Sequence, residues 1–213
     1  MRIRVVILFL LSTSVLAFGQ TDWEHLQIRQ KRYRNIHLHH IGIGGDVTAY
    51  RNIHLSPRIY YGYGSYRNLF NVDVGVFYRF SCSLSPQNAD RVLCQYVAPF
   101  VSTAINAYRW NTGSLYIGCE AAYNFAVAAD YYSRSDKKLM QDIYLGRDFC
   151  SIKPKFGVRF DKWEININCE YDLAPSLNQK YIFESVRYDY EQVRTSLFER
   201  YRFGISAAYL IPF

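Results

Sequence analysis

Tyr201-Arg-Phe-Gly-Ile-Ser-Ala-Ala-Tyr-Leu-Ile-Pro-Phe213 decides the fold. Its odd positions, Tyr201, Phe203, Ile205, Ala207, Tyr209, Ile211 and Phe213, are apolar or small. The even positions carry Arg202, Gly204, Ser206, Ala208, Leu210 and Pro212. A strand sends successive side chains to opposite faces, so this segment reads as a strand with one continuous apolar face. A soluble domain seldom leaves its longest apolar-faced strand at an exposed end. A transmembrane barrel needs such a strand to close its sheet, because no backbone edge can face lipid.

The opposite end of the sequence agrees with an exported protein. Arg2 and Arg4 form a basic start, Val5 to Leu11 a short apolar run, and Ala17-Phe18-Gly19 a small-x-small cleavage pattern. Residues 1–19 are therefore expected to be a signal peptide, with Gln20 opening the mature chain. The run is too short for a spanning helix, which needs about 20 residues. Residues 20–34, polar and basic, are expected to be a periplasmic lead-in, leaving 35–213 for the barrel.

Bulk composition bounds the remaining choices. The formal charge of +7 falls to +5 without Arg2 and Arg4. Its basic residues are scattered rather than clustered, so attraction to anionic lipopolysaccharide fits better than a nucleic-acid partner. Aromatics make up 17% of the chain, and Tyr alone occurs 20 times. That excess suits the aromatic girdles at the two edges of a membrane. Five cysteines (Cys82, Cys94, Cys119, Cys150 and Cys169) leave at least one unpaired in an oxidising compartment. No Cys/His spacing suits a metal, and no cofactor motif appears.

Eight alternating segments follow, at about 36–45, 53–64, 69–80, 92–108, 114–127, 152–160, 163–171 and 201–213. The phase of the first is blurred by His37, His39 and His40, and the fourth alternates weakly. Short turns are expected near 65–68, 109–113 and 161–162, and longer loops near 46–52, 81–91, 129–149 and 172–199. With both termini in the periplasm, every short turn falls inside and every longer loop outside, as in an outer-membrane barrel. The expected class is an all-β, antiparallel up-and-down transmembrane barrel of about eight strands. A soluble eight-stranded binding barrel of the lipocalin type has the same alternation with its faces reversed. The ending and the turn asymmetry favour the membrane.

The segment Ser56-Pro-Arg-Ile-Tyr-Tyr-Gly-Tyr-Gly64 and the final strand give the chain its resemblance to small eight-stranded outer-membrane β-barrel proteins of the Bacteroidetes type. The ending resembles the C-terminal recognition strand of such barrels. The resemblance implies residence in the outer membrane of a Gram-negative bacterium, among lipid and lipopolysaccharide, after insertion by the barrel assembly machinery. It implies no particular activity.

Three constellations are candidates for function. Asp73, Arg79, Glu120, Lys153, Lys155, Arg159, Glu164 and Glu170 share the polar strand faces and would point into the lumen. They read as a plug of salt bridges, since eight strands leave an interior that side chains fill, with a selective channel as the alternative. Glycines at 62, 64, 75, 118 and 157 would make room for them. Tyr131, Tyr132, Arg134, Tyr181, Phe183, Arg187, Tyr188 and Tyr190 fall in the third and fourth outer loops. Tyr and Arg dominate binding hot spots, so these loops suit either a surface protein partner or lipopolysaccharide. Cys82 and Cys94 flank the second outer loop at spacing that permits a disulfide staple. His37, His39, His40, His54 and Ser56 admit a lipid A-modifying site, but nothing in the sequence sets a nucleophile, base and acid together, and hydrogen-bonded histidines are the preferred reading. The protein is expected to be a non-enzymatic barrel with structural or binding loops.

Overall fold

The structure, a computed structural model, describes residues 38–49, 53–84, 91–132, 138–141, 146–176 and 200–213, with the side chains of 83, 84, 91, 131, 132 and 138–141 excepted. Nine strands are described: β1 (His39–Ala49), β2 (Ile53–Tyr63), β3 (Phe70–Leu84), β4 (Arg91–Trp110), β5 (Gly113–Tyr132), β6 (Lys138–Gln141), β7 (Phe149–Phe160), β8 (Trp163–Asp172) and β9 (Tyr201–Pro212). Every pairing between them is antiparallel. Eight of them close on themselves in the order β1-β2-β3-β4-β5-β7-β8-β9, because β4 pairs with β5 and β9 returns to β1. The fold is an all-β, up-and-down barrel of eight strands. β6 is a short ninth strand added to the end of β5 outside the closed circle.

Closure is completed by β9 against β1, in a register running from His40↔Pro212 to Ala49↔Phe203. Beyond the last pair, the Phe213 N–H donates to the His39 carbonyl at 3.0 Å. On the other side β9 runs against β8 from Tyr171↔Tyr201 to Trp163↔Tyr209. The terminal segment that decided the fold thus forms two complete ladders.

Alternation sorts the side chains with charge inside and oil outside. The burial pattern of β2 alternates without exception, with His54, Ser56, Arg58 and Tyr60 inward and Ile53, Leu55, Ile59, Tyr61 and Tyr63 outward. The strong apolar faces expected on the third, fifth, sixth, seventh and eighth segments all point outward, for example Val72, Val74 and Val76 on β3, or Ile165 and Ile167 on β8. β4 explains its weak sequence signal. Its inner face holds Cys94, Tyr96, Ala98, Phe100 and Ala104, so both faces are largely apolar.

Turn chemistry follows from local geometry. Gly64 ends β2 at φ 116°, in the left-handed region that side chains disfavour. Its N–H donates to the Leu38 carbonyl at 2.6 Å. Inside, a Cβ on Gly42 would run into the Tyr60 ring, and one on Gly75 into the Tyr60 backbone and Cβ, so these two glycines create the space for that side chain.

Three expectations are corrected. The first outer loop is not 46–52: β1 runs through Asp46 to Ala49, and Asp46 is an inward residue buried to 2% exposure. The region 129–149 is not all loop, since β5 reaches Tyr132 and β6 follows. Cys82 and Cys94 are not joined. In the β3–β4 ladder Cys82 pairs with Leu93 and Ser81 with Cys94. Paired residues share a face, so Cys94 points inward beside Ser81 while Cys82 points outward beside Leu93, and the sheet separates the two sulfurs.

Candidate functional site

The interior is the best-defined chemical feature of the molecule. Among the described residues, six cations (Arg58, Arg79, Lys153, Lys155, Arg159 and Arg202) and six carboxylates (Asp46, Asp73, Glu120, Glu164, Glu170 and Asp172) are buried within it. The opposite charges balance. A buried ion survives only where partners replace its lost water, so this arrangement is informative only in its pairing.

Three linked clusters make up the lattice. Towards the short-turn end, Arg159 of β7 pairs with Glu164 of β8, donating from Nε at 2.8 Å, and reaches Asp73 of β3 at 3.2 Å. The Tyr116 hydroxyl donates to the second Glu164 oxygen at 2.6 Å, and His40 stands 3.4 Å from Asp73. At the centre, Arg58 grips Glu120 with both terminal nitrogens, at 2.9 and 3.1 Å, and also pairs with Asp46. Lys153 joins the same two carboxylates, at 2.6 Å to Asp46 and 3.1 Å to Glu120. Lys155 lies 3.9 Å from Glu120 and 3.8 Å from Glu164, tying the centre to the short-turn end. Towards the other end, Arg79 pairs with Glu170, and Arg202 holds Asp172 in a two-pronged grip at 2.7 and 2.5 Å while lying 3.4 Å from Glu170.

Phe77 bridges the centre to the third cluster. Arg58, Arg79 and Lys153 stand 5.6, 5.0 and 5.3 Å from its ring centroid. Phe100 takes Arg58 at 5.0 Å. The negative faces of these rings give the cations a second set of favourable contacts. Among the described residues the inner face of β4 carries no charge; its small and aromatic side chains form the wall against which the long cationic side chains pack. Between the two clusters nearest the short turns, a cavity of about 10 Å³ is lined by Arg58, Tyr60, Asp73, Phe100, Lys155 and Glu164. That is room for about one water molecule.

All eight lumen residues expected from the sequence are inward and buried, and each has an oppositely charged partner. Four members were missed: Asp46, Arg58, Asp172 and Arg202. Asp46 and Asp172 stand at the boundaries of the expected loops 46–52 and 172–199, and Arg58 and Arg202 are single charges on otherwise uncharged strand faces. Strand parity was the available signal, since 46 shares a face with 40 and 48, and 58 with 54 and 60. Tyr131 and Tyr132 end β5 but their side chains lie outside the described residues, as do Arg134, Tyr181, Phe183, Arg187, Tyr188 and Tyr190. His37 and residues 1–34 lie outside them too. Of the remaining histidines, His39 points outward onto Tyr61, Tyr63 and Phe213, while His54 is inward and makes no hydrogen bond among the described residues.

The outer wall has its own order. Rings gather at two levels. Tyr108 and Trp110, Trp163 and Tyr209, and His39 with Phe213 lie near the short turns. Tyr78 and Phe80, and Tyr123 and Phe125, lie towards the other end. Along β9, Tyr201 and Tyr209 stand roughly 20 Å apart along the barrel axis, at ~3.3 Å per residue and ~40° of tilt. Aliphatic side chains such as Ile205 and Ile167, each 60% exposed, fill the band between.

Among solved structures, the crystal structure of Neisserial surface protein A is similar, with a TM-score of 0.46 and 13% identity over 82% of this chain and 96% of that chain. No family model and no curated protein matches the chain.

Proposed function

We propose that the protein is a small, non-enzymatic barrel of the Gram-negative outer membrane, with a side-chain-filled lumen and loops that serve a structural or binding role at the surface. The observation that carries this reading is the inverted polarity: a balanced lattice of buried ions inside, and an apolar wall with two aromatic levels outside. In water such a wall would aggregate. In a bilayer it is the ordinary outer surface of a barrel, whose apolar band is about 25 Å tall. Export through a signal peptide, insertion by the assembly machinery, and contact with lipopolysaccharide or a surface protein partner belong to the same proposal. His54 makes no hydrogen bond among the described residues, and His40 faces Asp73, which supports a role other than lipid A modification.

Single-channel conductance of the refolded protein in a planar bilayer tests the filled lumen. A silent bilayer is the expected result, with insertion confirmed separately. Discrete, reproducible current steps would replace this reading with that of a small pore whose lattice is a selectivity lining.

A further inference from the structure

The outer wall carries a trough that follows the register lines of the sheet. One line joins Val47, Ile205, Ile167, Phe156 and Ile117 across β1, β9, β8, β7 and β5. All five side chains are large and exposed, and they make a continuous ridge. Four residues further along the strands, Tyr201, Tyr171 and Ile152 make a second ridge through the pairs Tyr171↔Tyr201 and Ile152↔Tyr171. The line between the ridges is low: Ala49, Cys169 and Pro154 are small, and Phe203 is its one bulky member. The floor is backbone, because Gly204, Asn168 and Lys155 line the trough although their positions face the lumen. The groove is about 800 Å³, within the range that holds a small ligand. It crosses four strand spacings, roughly 19 Å at ~4.8 Å each. It also slopes. Val47 stands eight residues from the short-turn end of β1 and Ile117 four from that of β5, so the trough descends from the loop side towards the short turns. Its upper end opens at Ala49 and Phe203. Three residues above Phe203, the exposed Arg200 is tied to the rim by its carbonyl, which accepts the Asp172 N–H at 2.6 Å.

We infer that the trough holds one acyl chain of lipid A from the loop-side leaflet, with a phosphate of its headgroup at Arg200. The inference rests on the outer-membrane reading above and gives the contact with lipopolysaccharide a place on the wall. The two ridges stand roughly 13 Å apart, four residues at ~3.3 Å, and their own side chains narrow the gap. Within lipid a protein partner must be a helix or a closed barrel wall. A helix is about 10–12 Å across with its side chains and does not enter. A single hydrocarbon chain does. A chain that reaches the middle of a core about 30 Å thick extends over ~15 Å, close to the length of the trough. The slope keeps the headgroup at the rim while the tail descends. Arg200 supplies the matching charge for a phosphate.

Native mass spectrometry tests the site, with the full-length protein refolded into phosphatidylcholine vesicles containing lipid A and then extracted into detergent. One lipid A per barrel is retained in preference to phosphatidylcholine. Cys169→Trp and Ala49→Trp fill the trough from two different strands, and each abolishes the retained species; either alone suffices should the other fail to fold. Val74→Trp, exposed on β3 at the opposite wall, leaves it intact. Arg200→Gln weakens retention roughly twofold to fivefold, the worth of one exposed ion pair. Gel mobility and vesicle insertion report on the barrel itself. A chain that does not insert refutes the outer-membrane reading, whereas an inserted barrel that retains no lipid A overturns the site alone. Retention unchanged in both filled variants overturns the trough. Equal retention of phosphatidylcholine, or no response to Arg200→Gln, overturns the headgroup assignment. A dimer that is lost in the filled variants gives the trough to a second copy and overturns the lipid.

Discussion

Glu120→Ala is the sharpest test of the interior. Glu120 is 1% exposed and holds Arg58 at 2.9 and 3.1 Å, Lys153 at 3.1 Å and Lys155 at 3.9 Å. Its loss leaves six buried cations facing five carboxylates. Breaking a buried pair from one side costs about 3–5 kcal/mol. Here Arg58 and Lys153 keep Asp46, and Lys155 keeps Glu164, so a value near 3 kcal/mol is expected. Removing both ends of the central pair, as in Arg58→Met with Glu120→Leu, restores five against five. That double variant should lie within about 1 kcal/mol of the parent, because apolar replacement of a buried pair is often neutral or better. Urea unfolding of the refolded protein in vesicles, followed by tryptophan fluorescence, reads both numbers. A single variant that loses less than about 1 kcal/mol would mean that water screens the lattice, and a double variant worse than the single would mean that charge balance is not what the interior obeys.

Three further outcomes are expected. Ile205→Lys places a charge on the outer wall of β9 between Tyr201 and Tyr209 and should cost about 2–4 kcal/mol in a bilayer; a change below 0.5 kcal/mol would remove Ile205 from the lipid-facing band. Pro154 faces outward on β7, and the β7–β8 pairing lapses beside it, between Ile152↔Tyr171 and Lys155↔Asn168; Pro154→Val should therefore supply an N–H to β8 and stabilise by about 0.5–1.5 kcal/mol, visible as a higher unfolding midpoint, whereas destabilisation would refute the account of the gap. Because the sheet separates Cys82 from Cys94, the unfolding midpoint and gel mobility should be the same with and without reductant; a reductant-dependent shift lost in Cys94→Ala would contradict that placement.

Much of this architecture was legible because a strand's period is two and one face of each strand is strongly apolar. The β9 ending, the valines of β3 and the alternation in β8 needed nothing beyond parity. What parity alone could not decide was which face was inside, since a soluble barrel writes the same pattern with its faces exchanged. The charged faces of β7 and β8 leaned towards the answer: Lys153, Lys155 and Arg159 on one strand oppose Glu164 and Glu170 on the next. β4 was obscure because its inner wall must stay small and uncharged to accommodate side chains from across the lumen, which erases its alternation. Asp46 was lost for another reason. The segment Gly44-Gly45-Asp46 has the composition of a turn, yet Gly44 pairs with both Arg58 and Ala208 inside continuous ladders. Composition reports local freedom, and the neighbouring strands overrode it.

The seam between β1 and β9 joins residue 40 to residue 212, so the sheet becomes a cylinder only when strands from opposite ends of the sequence meet. That step tolerates no slip. Sliding β9 by one residue would turn Arg202 out into lipid and Phe203 in towards Asp172, while Glu170 and Asp172 would lose a cation. Each strand that carries a lattice charge is subject to the same check from its partners on other strands. The lumen thus works as an error-detecting code for strand order and register: a misassembled barrel leaves an ion without its counterpart, and the correct one leaves none.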